Sequence, residues 1–277
     1  ATLDAISQVS FNINTNAIEN PESPFPSAIR NYLMGVQANL EIPLPSIFLG
    51  IFQYKLFQNK TQKVQIDAVR FLRSFALECI TTRRKDIAEN NNVPNDLLNL
   101  FINDGSLTMD EIIDEFITVF IAGQETTASS LGFMLYEILS NPTVETKLLN
   151  EINEVLGERE NVEFDDLPKL KYLGQVLEES LRLHAIAPAP TRILKEEITI
   201  GNYRIPKGNG VASSSVLFAM NPKIWKDPEI FDPERFANAG SIPNLSMMHF
   251  PFSVGPRNCI GQTFAKFESK VMLAKLF

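Results

Sequence analysis

One long helical stretch sets the scale of this fold. Thr108-Met-Asp-Glu111 fits a capping box, in which the Thr hydroxyl accepts an early amide and the Glu side chain reaches back to the cap amide. Helical spacing then continues to Ser140, where Asn141-Pro142 stops it. The spacing predicts a single helix of about 33 residues, roughly 50 Å long. A helix of that length can cross an entire domain, so shorter elements are expected to pack along it. The chain has 277 residues, 44% of them hydrophobic, which is enough for a sizeable core and argues against disorder.

Helical spacing also marks Ser27–Asn39 and Lys60–Arg84, the second with Val64, Ala68, Phe71, Leu72, Phe75 and Leu77 mostly on one face. Polar Lys85–Asn95 reads as a loop, and Asp96–Ile102 as a short helix. Pro142 opens a helix that Gly157 ends. Asp165-Asp-Leu-Pro168 is a break, after which Leu170, Leu173, Val176, Leu177 and Leu181 form the apolar stripe of a helix ending before Pro188. Ile198–Ile200 and Tyr203–Ile205 flank Gly201-Asn202 and predict a hairpin, with a further strand over Val211–Leu217. Asn221–Arg257 reads as a long meander, and such loops are usually functional. Helical spacing resumes after Cys259. The expected class is mainly α with a small β component.

The 25 Lys plus Arg against 33 Asp plus Glu leave a formal charge of −8, so no nucleic-acid partner is expected. Two Cys exclude a disulfide scaffold, and two His argue against a multi-His metal site. His184 and His249 read as core or surface residues, and Cys79 as inert core. No signal peptide and no uncharged apolar run of ~20 residues occurs. Ile42–Tyr54 is apolar but Pro-punctuated. It reads either as a partly buried loop or short helix, or as a surface segment dipping into a bilayer. The sequence starts at Ala1 without Met and closes on apolar Val271–Phe277, so a fragment is expected.

The strongest chemical signal is Phe252-Ser-Val-Gly-Pro-Arg-Asn-Cys-Ile-Gly261. One Cys sits where a Gly-rich loop enters a helix, and backbone amides and the positive helix end favour its thiolate. Gly255 allows a tight turn, Gly261 lets something flat approach, and Arg257 offers a cation to an anionic group.

These residues resemble the haem-ligand signature of the cytochrome P450 family, matching it at Phe252, Gly255, Arg257, Cys259 and Gly261. Three further signatures follow in the family's order. Ala122-Gly-Gln-Glu-Thr-Thr127 is similar to the oxygen-activation segment, Glu179-Ser-Leu-Arg182 to the Glu-x-x-Arg helix, and Pro233-Glu-Arg-Phe236 to the meander motif. The resemblance covers nearly the whole chain and implies one part of a single P450 domain over residues 1–277, truncated at both ends. Arg70–Arg73, Phe120–Gly123, Gln175–Glu178 and Phe250–Ser253 look most like the cholesterol 24-hydroxylase subfamily.

The resemblance implies haem b (iron protoporphyrin IX) with Cys259 as the iron's axial ligand. It implies Thr126 as the hydroxyl near bound dioxygen and Glu125 as its proton-relay partner, beside a break in helical bonding near Gly123. It places Arg257 and Arg192 on the propionates, and Phe252, Gly261 and Ala122 against the cofactor. Glu179, Arg182 and Arg235 become a buried structural lock. Lys266 and Lys270, at i and i+4, read either as a solvated face or as a basic surface that docks a reductase. The implied activity inserts one atom of dioxygen into a small apolar substrate, with a sterol side chain as first guess. Electrons would come from an NADPH-dependent flavin reductase, at the endoplasmic reticulum membrane. The alternatives are an isomerase or dehydratase that does not use dioxygen, and a non-catalytic haem-binding or helical interaction protein.

Overall fold

A computed structural model describes residues 1–40, 60–242 and 244–277. The apolar Ile42–Tyr54 stretch lies outside the described residues. The described chain divides into two compact units, residues 1–125 and 126–277.

The first unit holds α1 (Thr2–Phe11), α2 (Pro24–Leu40), α3 (Lys60–Ala88), α4 (Leu97–Asn103) and the first part of α5 (Met109–Ser140). The capping box before α5 forms as expected: the Thr108 amide donates to Glu111 Oε2 at 2.8 Å, and the Glu111 amide to Thr108 Oγ1 at 3.3 Å. Five phenylalanines build the core. Phe11 lies 4.4 Å from Phe116 and 4.7 Å from Phe120, with Phe25 and Phe75 against the same cluster. Aromatic pairs at such separations add to the burial of their area.

The buried row of α3 is Ala68, Leu72, Ala76 and Ile80, spaced four apart, whereas the expected face members Val64, Phe71 and Leu77 are exposed. The helix also runs past Arg84 into the stretch expected as loop. Its polar last turn is solvated, and Asn90, at φ +54°, ends it.

A buried ion pair ties three helices of this unit together. Arg83 donates to both Asp96 carboxylate oxygens, at 2.8 and 2.9 Å, and to the Phe11 carbonyl at 3.0 Å. Asp96 also caps α4 by accepting the Asn99 amide at 2.9 Å.

The second unit holds the rest of α5, α6 (Pro142–Leu156), α7 (Lys171–Leu183), four short strands, α8 (Ser215–Ala219), α9 (Leu245–Met248) and α10 (Gln262–Leu276). The stripe expected on α7 is buried: Leu170, Leu173, Val176, Leu177 and Leu181 pack with Met134, Ile138, Leu148, Ile152 and Leu273. Glu151 of α6 fixes the start of α7 by accepting the amides of Tyr172 and Leu173, at 2.6 and 2.9 Å, which also sets a negative charge at the positive helix end.

The hairpin forms from β2 (Ile198–Ile200) and β3 (Tyr203–Ile205), with Thr199 opposite Arg204 and Gly201 at φ +59°. It is nested inside β1 (Thr191–Ile193) paired antiparallel with β4 (Gly210–Ala212), where Arg192 faces Val211. The strand expected over Val211–Leu217 is cut short at Ala212. The serines that follow turn the chain: the Ser215 amide bonds the Pro188 carbonyl at 2.9 Å, and Ser214 caps α8. Among its described residues the meander carries short 3₁₀ turns, at Pro233–Phe236 and Ala239–Ser241, besides the single turn of α9.

Arg83→Met should destabilise the first unit by about 3–5 kcal/mol, because Asp96 is left charged and buried. Asp96→Asn in the same chain should restore part of that loss, since Asn keeps the α4 cap. Denaturant unfolding followed by circular dichroism measures both, and equal midpoints for wild type and Arg83→Met would contradict the role given to the pair.

Candidate functional site

Glu179 and Arg182 share one face of α7 and are completely shielded from solvent. Arg182 Nε bonds Glu179 Oε2 at 2.7 Å, and Nη2 bonds Oε1 at 2.8 Å. The other donors reach backbone carbonyls: Nη1 to Ala219 and Pro228, both at 2.8 Å, and Nη2 to Ile230 at 3.3 Å. All five N–H groups of the guanidinium are thereby used. Its flat face lies 5.4 Å from the Trp225 ring centre. Arg235 completes the group, with Nε 3.2 Å from Glu179 Oε1 and its Nη atoms on the carbonyls of Lys226, Asp227 and Ile230. The Asp232 amide donates to Glu179 Oε1 at 2.9 Å. The sequence-predicted lock is therefore assembled, and it fixes the meander by its main chain.

The Cys259 loop closes on itself. The Ser253 amide bonds the Phe250 carbonyl at 2.9 Å, the Asn258 amide the Gly255 carbonyl at 3.1 Å, and the Cys259 amide the Phe252 carbonyl at 2.9 Å. Two residues take the left-handed conformation, Ser253 at φ +62° and Gly255 at φ +79°, so the turn demanded of Gly255 is real. The loop delivers Cys259 to the start of α10, with its thiol exposed. A Cβ at Gly261 would lie 3.9 Å from the Cys259 sulfur, and glycine leaves that approach open. Val254, Arg257 and Ile260 are all exposed in the same loop. An exposed cysteine in a loop that also exposes apolar side chains and a guanidinium suits a flat, largely apolar group bearing carboxylates. Arg192, the other expected carboxylate partner, is exposed on β1, with Nη1 3.0 Å from the Thr191 carbonyl. Cys79 is half-buried, and burial, with some help from the Glu78 charge, pushes its thiol up to about 11.

Ala122, Glu125 and Thr126 are exposed at the middle of α5. The break in helical bonding expected near Gly123 is absent, and α5 is continuous from Met109 to Ser140. The glycine has a packing reason instead: a Cβ there would meet Ile6 Cγ1 of α1 at 2.8 Å.

Several polar groups of the site escaped sequence reasoning. Glu178, next to the lock's Glu179, bonds His249 Nε2 at 2.9 Å and takes the ammonium of Lys266 on its other oxygen. Lys270 donates to the Leu167 and Leu170 carbonyls at 2.8 and 2.7 Å, and burial holds its pKa below the usual lysine value. Both lysines, expected as a solvated face or a docking surface, are engaged within the unit. His184 bonds Glu137 at 2.7 Å and stacks on Phe133 with ring centres 4.4 Å apart. No spacing rule marks such pairs, whose members lie far apart in sequence.

Glu268 on α10 is buried, and neither carboxylate oxygen has a partner. Burial pushes it from the usual 4.5 up to about 7. The folded state then holds a proton that the unfolded state has released, so stability should fall as pH rises from about 4.5 to about 7. Glu268→Gln should flatten that fall and stabilise the protein at pH 8. Thermal unfolding across this range checks it, and an unchanged pH profile in the variant would refute the assignment.

A family model described as Cytochrome P450 matches residues 1–277. Cytochrome P450 3A11 of Mus musculus is 31% identical over 295 residues, covering 99% of this chain and 56% of its own length. Cytochrome P450 3A6 of Oryctolagus cuniculus is 32% identical over 285 residues, with the same coverages of 99% and 56%. Cytochrome P450 3A9 of Rattus norvegicus is 31% identical over 286 residues, again at 99% and 56%. This chain therefore spans about half the length of these curated relatives. The finer likeness to cholesterol 24-hydroxylase gains no support from them.

Proposed function

The chain belongs to the cytochrome P450 family, and on that premise we propose that it is the haem-ligand part of a monooxygenase that inserts one atom of dioxygen into a small apolar substrate. Proteins of this family bind haem b. When bound, that group supplies an iron centre at which dioxygen is split, a reaction that a thiolate ligand favours. The observation that carries the reading is the closed Cys259 loop, which presents an exposed cysteine at the head of α10.

Each residue then has a stated task. Cys259 would hold the iron through its thiolate. Arg257 and Arg192 neutralise the propionate carboxylates with their guanidinium donors. Phe252 and Gly261 would border the cofactor, and Ala122 is the α5 residue that the family resemblance assigns to it. The Glu125 carboxylate and the Thr126 hydroxyl, neighbours on α5, would form the proton relay that the reaction needs. Glu179, Arg182 and Arg235 touch neither substrate nor cofactor, and they hold the meander in place.

Family membership supports a wider setting. An NADPH-dependent flavin reductase supplies the electrons, and the endoplasmic reticulum membrane is the site of action. No helix among the described residues is long and apolar enough to cross a membrane. A sterol side chain as the substrate rests on the four stretches quoted above alone.

The reduced carbon monoxide spectrum of the full-length protein tests the reading. The red-shifted band of a thiolate-ligated haem is expected in the wild type, with its complete loss in Cys259→Ala. A wild-type protein that binds haem without that band would overturn the proposal.

A further inference from the structure

Glu178 is bonded to both ends of the Cys259 loop. One carboxylate oxygen lies 2.9 Å from Nε2 of His249, just before Phe250-Pro-Phe-Ser253. The other accepts from Lys266 in the first turns of α10, just after the loop. Everything between, including Cys259, is bracketed by one carboxylate. The bracket also reaches inward. The Lys266 ammonium sits 5.4 Å from the centre of the Phe252 ring, and the Phe252 carbonyl accepts the Cys259 amide at 2.9 Å. On the other side, the His249 ring lies 4.9 Å from Phe236 and 6.4 Å from Trp225, the ring beneath the Arg182 guanidinium.

These groups are placed to interact strongly. Exposure falls to 23% for Glu178, 9% for His249 and 29% for Lys266, so the charged bonds are partly withdrawn from water. Burial alone would raise the Glu178 pKa, yet the His249 bond and the Lys266 charge outweigh it and hold the carboxyl below its usual value. The group is anionic at neutral pH.

We propose that Glu178 is a positioning residue that sets the placement of Cys259 by clipping both ends of its loop, and that Lys266 serves this clip rather than a docking surface. The inference rests on the reading of Cys259 as the iron ligand. Glu178 and Lys266 act through Phe252 and touch no reacting atom.

The test uses the full-length, haem-loaded protein with Glu178→Gln, Lys266→Met and Lys266→Arg. Two readouts are taken: hydrogen exchange of the peptide bearing the Cys259 amide, and the fraction of reduced haem giving the thiolate carbon monoxide band. Lys266→Met keeps the aliphatic stem over Phe252 and removes the charge. It should speed exchange about tenfold and lower the thiolate fraction about twofold, as loss of one charged hydrogen bond implies. Glu178→Gln should move both readouts the same way. Lys266→Arg should restore both, because the cation is kept. If Glu178→Gln fails to fold, the Lys266 pair decides alone. Unchanged exchange and spectrum in Lys266→Met, with only reductase-supported turnover reduced, would overturn the clip and return Lys266 to a docking role. A wild type without the thiolate band would instead defeat the functional reading, while the exchange data would still judge the clip.

Discussion

Glu179 and Arg182 place opposite charges in the interior with no exposure to water. Such a pair stands only when its remaining donors and acceptors are met, since desolvation can otherwise exceed the attraction. Here the main chain meets them. The carbonyls of Ala219, Pro228 and Ile230 turn toward Arg182, and those of Lys226 and Asp227 toward Arg235. A meander with little regular structure thereby acquires a definite path, because its polar backbone groups are satisfied by two guanidinium groups instead of a sheet. The Asp232 amide, bonded to Glu179, fixes the Pro233–Phe236 turn to the same point.

Two adjacent carboxylates on α7 divide the work. Successive residues on a helix point about 100° apart, so Glu178 and Glu179 address different segments. Glu179 organises the meander, and Glu178 meets the chain on either side of the Cys259 loop. The core stripe of α7 and the Glu151 cap at its start hold this helix in register for both tasks. The cysteine loop is thus supported from one helix that carries no chemistry of its own.

What could be read from sequence divides along physical lines. Local rules succeeded: the capping box at Thr108 and Glu111, the stop at Asn141-Pro142, the hairpin at Gly201-Asn202, and the buried stripe of α7 all depend on neighbours within a few residues. The Cys259 loop stood out by its residues, spacing put Glu179 and Arg182 on one helix face, and the family resemblance implied Arg235 as their buried partner. Failures arose where a distant partner decides. Gly123 reads as a helix break, but Ile6 claims its space and the helix continues. Phe71 and Leu77 fit an apolar face that the fold leaves exposed in favour of small Ala68 and Ala76. Lys266 and Lys270 read as a surface pair, and only the folded chain brings Glu178 and the carbonyls before α7 to them.

On the proposed reading, the buried charge lock on α7 makes the Cys259 loop competent to hold haem. Haem content of purified full-length Arg182→Ala protein tests it most directly. Removing the guanidinium strands Glu179 and frees the carbonyls of Ala219, Pro228 and Ile230, at a cost of about 3–5 kcal/mol. The expected result is protein with no incorporated haem. Wild-type haem content in that variant would contradict the account.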